Sequence, residues 1–149
     1  MVSTGEIGNG LANYFHYVVG GTRAAVLYRE NGYGGPFADG FKSVAERHGI
    51  TTVYYPFTTA AERDEVARRV ASDPTQPAIF LGMTFEDAVP MLVSLRRGGT
   101  KGTIYGTTTM ARAGFIELFK DQPEYGQNPS FFTDGVYAAS PAIFDSANA

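Results

Sequence analysis

Apolar positions along the chain fall into short unbroken runs and stripes at helical spacing, and the two kinds alternate. Ala24–Tyr28 is an unbroken run that ends at a polar, glycine-rich turn, Arg29–Gly35. Beyond it, Phe37, Phe41, Val44, Ala45 and His48 recur at intervals of 4, 3, 1 and 3. That spacing puts an apolar stripe on one helix face. Pro36 suits the first helical turn and Gly49 the stop beyond the last. The unit reads as strand, loop and helix.

The same alternation continues downstream. Ile50–Phe57 is β-branched and aromatic, which predicts a strand with Pro56 at its edge or end. Thr59 and Glu62 match a capping box, opening a helix over 60–72 with Val66, Ala67 and Val70 inward, stopped by Asp73-Pro74. Ala78–Leu81 has the fully apolar character of a central parallel strand. A helix from about Ala88 to Arg97 follows, with Ala88, Met91, Leu92 and Leu95 buried. Pro90 is costly deep in a helix, so Asp87 is the expected N-cap, leaving Met83–Glu86 as an exposed loop. After Gly98-Gly99 come a strand at Thr103–Tyr105, a helix over 111–120 with Phe115, Ile116 and Phe119 inward, and a turn-rich loop over 121–129. Phe131–Ala139 is a fifth extended segment, and the tail beyond Pro141 shows no pattern.

The first twenty residues are the least regular. Met1–Gly10 is small and polar with three glycines and reads as a leader or linker, and Tyr14–Val19 reads as extended. The expected division is a leader and hinge-like segment over 1–19, an α/β lobe over 20–140 and a tail stub over 141–149. Strands joined by helices imply a mainly parallel sheet covered on both faces, a three-layer α/β/α sandwich with right-handed crossovers. Ligands of such sheets sit outside the carboxyl ends of the strands. The loops that matter are therefore Asn31–Gly35, Gly82–Asp87 and Gly106–Met110.

Composition narrows the chemistry. A chain of 149 residues can bury a core without staples. It has no cysteine, so disulfides and thiolate chemistry are absent. Its two histidines, His16 and His48, are far apart in sequence, which argues against zinc. His48 fits a helix C-terminus and His16 a half-buried neighbour of Tyr14 and Phe15. Net charge is −3, and the pairs Arg68-Arg69 and Arg96-Arg97 read as solvated helix faces, so no nucleic-acid footprint is expected. No apolar run nears the ~20 residues of a membrane span.

Gly32-Tyr33-Gly34-Gly35-Pro36-Phe37 imitates a dinucleotide fingerprint, but its third glycine is Phe37, and no acid closes the second strand. Neither a P-loop nor G-x-S-x-G occurs, and strand ends lack the clustered acids of a phosphorylation site. No cofactor and no catalytic residue is expected. The strand-end loops instead offer neutral and aromatic groups: Asn31, Tyr33, Thr84, Phe85, Thr107 and Thr108 are the candidate ligand contacts.

AAVLYRENGYGGPFADGFKSVAERHGI resembles the opening of the second lobe of type I periplasmic binding proteins, of the branched-chain amino-acid and amide receptor type. AIFLGMTFEDAVPMLVSLRRGGTKGTIYGTTTM is similar to that family's third and fourth units, and DGVYAASPAIFDSAN and NYFHYVV resemble its hinge crossings. The resemblance implies the flavodoxin-like strand order 2-1-3-4-5 and a non-catalytic solute-binding lobe of an ABC-transporter-type receptor. Tyr33 would then cover the ligand, with Thr84 or Phe85 as a second contact. Thr108 stands where amino-acid-binding members carry an acid for the ammonium, which shifts weight towards a neutral amide or a small carboxylate. Implied partners are that ligand, a missing first lobe, an ABC permease and a second copy docking through the lobe–lobe face. The implied setting is periplasmic or extracellular. A sensory module of the same fold and an α/β enzyme using the same crevice are the alternatives.

Overall fold

A computed structural model describes residues 3–100, 102–107, 110 and 114–138 of the chain. Its five strands are β1 (Arg23–Arg29), β2 (Thr51–Phe57), β3 (Ala78–Gly82), β4 (Ile104–Gly106) and β5 (Val136–Ala138). They form one sheet in the order β2-β1-β3-β4-β5, with all four neighbour pairs parallel. The strand order is the one the resemblance implied, and the apolar run Ala78–Leu81 forms the central strand, β3, as expected.

Helices cover both faces. Ala24, Val26, Phe80 and Tyr105 turn towards α1 (Thr4–Tyr14) and α2 (Gly34–Arg47). Ala25, Leu27, Ile79, Leu81 and Ile104 turn the other way, to α3 (Ala60–Ala71), α4 (Phe85–Arg97) and the aromatic cluster Phe115, Phe119 and Phe132. The alternation along each strand is that of a sheet buried on two sides. Each fully buried Leu, Ile or Phe there removes enough apolar surface to contribute roughly 1.5–3 kcal/mol.

Several elements agree closely with their sequence signals. Thr59 accepts from the Glu62 N–H while Glu62 accepts from the Thr59 N–H, completing the capping box of α3. Gly49 adopts φ +67° just past α2, with His48 as C-cap. Pro56 lies in β2, the edge strand.

The N-terminal segment differs from expectation. Residues 4–14 are helical, capped by Ser3, and Phe15–Val19 continue as a π-helical turn that ends at Gly20 with φ +73°. Tyr14–Val19 is therefore not extended, and residues 4–10 are helical instead of linker-like. Glycines lower helix propensity, which hides α1 in the sequence, but here two of them permit a close crossing. A Cβ on Gly8 would lie 2.2 Å from the Phe37 carbonyl oxygen, and one on Gly40 would lie 2.1 Å from that of Gly5. Ile7, Leu11, Ala12 and Phe15 then bury against α2 and the sheet. Tertiary packing overrides local propensity.

Helix α4 begins earlier than expected. Thr84, in extended geometry, is its N-cap, so Met83–Glu86 is not an exposed loop: Met83 is buried and Phe85 and Glu86 open the helix. Asp87 cannot serve as the cap because its carboxylate is held by two arginines. Pro90 lies inside the helix and forgoes one bond, offset by the burial of Ala88, Met91, Leu92 and Leu95.

The C-terminal part is less regular than its sequence suggests. Ile116–Phe119 is a 3-10 turn in which Phe115 and Phe119 are buried but Ile116 is 44% exposed, contrary to expectation. Residues 111–113 of the expected helix lie outside the described residues. Pro123–Gln127 forms a short helix, α5, within the expected loop, and among the described residues of the fifth extended segment Val136–Ala138 pair in the sheet. The tail from 139 onward lies outside the described residues. Arg96 is not a solvated side chain: its guanidinium donates to the carbonyls of Thr100, Gly102, Phe132 and Asp134, tying α4 to β5's approach.

Candidate functional site

The carboxyl ends of β1, β3 and β4 lie side by side, and the loops leaving them are drawn together by side-chain bonds. The first loop is shaped by Asn31. Its Oδ1 accepts from the N–H of Tyr33 at 2.9 Å and of Gly34 at 2.8 Å, an Asx turn that folds the chain into α2. Gly34 then sits against the end of β3, where a Cβ would fall 2.5 Å from the Gly82 carbonyl oxygen and 2.1 Å from that of Arg29. No larger residue fits between the two strand ends.

This turn directs Tyr33 across β3. Its phenol donates to Thr107 Oγ1 at 2.7 Å, and the buried Thr107 hydroxyl donates to the Met83 carbonyl at 3.3 Å. One hydrogen-bonded chain thus links the three loops. Of the expected contacts, Tyr33 and Thr107 meet directly, and Asn31 acts through the backbone turn. Thr84, half-buried, follows Met83 as the N-cap of α4. Phe85 is half-buried and packs on the core between sheet, α3 and α4. Thr108 lies outside the described residues.

Below this crevice, on the α3–α4 side, stands an ionic cluster that the motif search did not find. Arg29 Nε and Nη2 bond bidentately to Asp87 at 2.6 and 2.9 Å, and Arg29 Nη1 donates to the Thr58 carbonyl at 2.9 Å. Arg63 Nη1 donates to the same carboxylate at 3.1 Å. The Arg29 guanidinium also lies 5.3 Å from the centre of the Phe57 ring. The Arg29 bond, assisted by Arg63, holds the Asp87 carboxyl below its ordinary range against the opposing effect of burial, and the same bond raises Arg29. One carboxylate shared by two guanidinia staples the ends of β1, β2, α3 and α4. The only sequence signal was an arginine at the end of an apolar run and an aspartate where a cap was expected.

Where α1 and α2 end, His16 and His48 stack with ring centres 3.9 Å apart and planes 7° from parallel, and Tyr17 meets both edge-on. Distance in sequence did not anticipate this pairing. Among the described residues, no group of three or more His, Asp or Glu is placed to hold a metal ion.

No protein-family model and no curated protein sequence matches the chain. Solved structures do. A Rhodospirillum rubrum protein described as a branched-chain amino acid ABC transporter is similar over 98% of this chain and 42% of its own, at 24% identity and TM-score 0.71. A Desulfitobacterium hafniense ABC transporter substrate-binding protein, solved with Leu, is similar over 98% of this chain and 48% of its own, at 22% identity and TM-score 0.60. A Thermomonospora curvata fatty acid ABC transporter substrate-binding protein matches 74% of this chain and 31% of its own, at 20% identity and TM-score 0.58. The chain spans less than half the length of each of these proteins. The fold is that of the type I periplasmic binding proteins, of which the chain covers one part. Among the described residues, no helix is long and apolar enough to cross a membrane.

Proposed function

We propose that this chain, which carries the fold of a type I periplasmic binding lobe, is a non-catalytic solute-binding lobe whose ligand lies across the carboxyl ends of β1, β3 and β4. The observation that supports the reading is the hydrogen-bonded chain Tyr33–Thr107–Met83, which ties three strand-end loops together. On that reading Asn31 sets the loop, Tyr33 presents its phenol to the ligand, the buried Thr107 hydroxyl fixes that phenol from behind, and Thr84 stands beside it. In this reading a second lobe completes the pocket, and an extracytoplasmic receptor delivers the solute to an ABC permease.

The acids near the crevice argue for the ligand's chemistry. Asp87 is committed to two arginines, and Glu30 and Glu86 are exposed. None is a desolvated partner for an ammonium, so a small carboxylate with an apolar body or a neutral amide suits this wall better than a free amino acid. The N-termini of α2 and α4 open towards the same edge and favour partial negative charge. One solved neighbour is named for fatty acids, which join a carboxylate to an apolar chain, and another was solved with Leu, whose carboxylate and apolar side chain fit this wall but whose ammonium does not.

The test is an amide NMR titration of the chain with leucine, isovaleramide, isovalerate and phenylacetate. The expected result is shifts at Tyr33, Gly34, Thr84 and Thr107 with the acids and the amide, larger than with leucine. Shifts confined to other surfaces would overturn the site, and shifts with leucine alone would overturn the ligand class.

A further inference from the structure

Strand β2 ends the sheet on one side, and among the described residues nothing pairs with its outer edge. Its inner edge is identified by two bonds. The Thr51 N–H donates to Thr22 and the Phe57 carbonyl accepts from the Glu30 N–H, so residues 51, 53, 55 and 57 address β1. Thr52, Tyr54 and Pro56 therefore turn their backbone groups outward, and Pro56 has no N–H to offer. The free edge presents two complete donor–acceptor residues, Thr52 and Tyr54, flanking Val53.

That set is self-complementary. In an antiparallel pairing centred on Val53, Thr52 of one copy lies opposite Tyr54 of the other and each pair exchanges both backbone bonds. Val53 then meets its own copy as the closely spaced, non-bonded pair. Its side chain is 48% exposed although it sits in the middle of a strand. No charged residue interrupts 51–55, so this edge lacks the lysine or glutamate that usually discourages pairing. Pro56 limits the register, because pairing shifted towards it would leave an acceptor without a donor.

The flank agrees in charge. A groove of about 390 Å³ runs between β2 and α3, lined by Pro56, Ala61 and Val66 and rimmed by Glu65, Arg68 and Arg69. Along α3 Glu62, Asp64 and Glu65, interrupted only by Arg63, which is turned to Asp87, precede the basic Arg68 and Arg69. A two-fold axis through Val53 sets α3 antiparallel to its copy, so acidic halves face basic halves. Parallel addition through the same edge would invert the sheet faces and put α3 and its copy on opposite sides, with no such charge pairing. The exposed Glu65–Arg68 pair at 2.6 Å is of the kind that contributes little within one chain and is free to exchange partners.

We propose that two copies of this chain associate through β2, antiparallel about Val53, to form a continuous ten-stranded sheet flanked by α3 and its copy. This surface is distinct from the strand-end crevice, and the association is isologous and closed.

The test combines sedimentation velocity over a wide concentration range with amide hydrogen exchange of the wild-type chain. The expected result is a concentration-dependent dimer in which the Thr52 and Tyr54 amides gain protection as the dimer forms. Val53→Lys, which places two ammonium groups on the axis, and Arg68→Glu should each weaken dimerisation by about tenfold or more. A chain that stays monomeric at every concentration would overturn the proposal, as would a dimer indifferent to Val53→Lys. Protection of Thr52 and Tyr54 without a dimer would assign the edge to another strand and would also overturn it. If Val53→Lys does not fold, the wild-type exchange data alone decide.

Discussion

Tyr33 and Thr107, 74 positions apart, join the loops after β1 and β4 over the end of β3 through a bond of 2.7 Å. Neither residue makes this contact by sequence proximity; it exists because parallel order 2-1-3-4 brings those strand ends within a side chain's reach. Tyr33→Phe removes only the donor, and Thr107 retains its bond to Met83. A half-buried neutral hydrogen bond of this kind contributes about 1 kcal/mol, so the urea midpoint should fall slightly. Ligand-induced amide shifts at Gly34 and Thr84 should shrink far more than that stability change accounts for. Thr107→Val should cost more in stability, about 1–3 kcal/mol, because the Met83 carbonyl and the Tyr33 phenol both lose their partner. Urea unfolding of the two variants beside the wild type checks the order.

Asp87 governs the response to acid. Its carboxyl is 10% exposed and held by Arg29 and Arg63, which lowers its pKa from the ordinary 3.8. A carboxyl depressed on folding stabilises the fold above its unfolded pKa and loses that contribution as pH falls through the folded value. Stability should therefore decline below about pH 4, steeply for a chain of this size. Asp87→Asn should remove part of that decline and cost roughly 3 kcal/mol at neutral pH, since two guanidinia are left facing each other. Urea unfolding from pH 7 to 3 for both proteins measures slope and offset together.

The alternation of strands and helices and the helix faces were legible because each rests on a run of residues, whereas the strand order followed from the family resemblance. β3 reads as AIFL, and α3 announces itself through Thr59 and Glu62 at one end and Val66, Ala67 and Val70 along its face. What stayed hidden depends on pairs. Gly8 and Gly40 look like helix breakers until their helices cross, at which point they are the only residues that fit. Asp87 looks like a cap until Arg29, 58 positions earlier, is placed beside it. Arg96 looks solvated until the carbonyls of 132 and 134 surround it. The candidate site divides the same way. Its loops were visible as glycine-rich strand ends, while the bond that joins Tyr33 to Thr107 is a property of the topology.

The α1–α2 crossing predicts a sharp steric response. Gly8→Ala sets a methyl 2.2 Å from the Phe37 carbonyl oxygen and 2.8 Å from the Phe41 nitrogen, both in the backbone of α2. Backbone cannot rotate away, so α1 must move outward and Leu11 and Phe15 lose contacts. Overpacking of this type costs about 1–3 kcal/mol. Gly35→Ala, where a Cβ meets nothing within 4 Å, serves as the control and should leave stability nearly unchanged. Thermal unfolding of both variants, followed by far-ultraviolet circular dichroism, separates the two outcomes. If Gly8→Ala matched the control, α1 would not be packed on α2 as described.

The stacked imidazoles at the ends of α1 and α2 predict a titration. Desolvation, then His16, then Arg47 lower the His48 pKa from the ordinary 6.5. For a histidine depressed on folding, the unfolded chain binds its proton first, so stability falls as pH drops from 6.5 towards the folded value. His16→Ala removes the stacked ring, centred 3.9 Å away, and with it one of the repelling charges. His48 should then titrate closer to its ordinary value, and the pH dependence of stability just below 6.5 should flatten. Arg47→Gln should move His48 in the same direction by a smaller amount, because Arg47 is the weaker of the two influences. Proton NMR of the His48 ring from pH 8 to 4 in the three proteins reads the order directly. A His48 titration unmoved by His16→Ala would mean that the rings do not stack in solution.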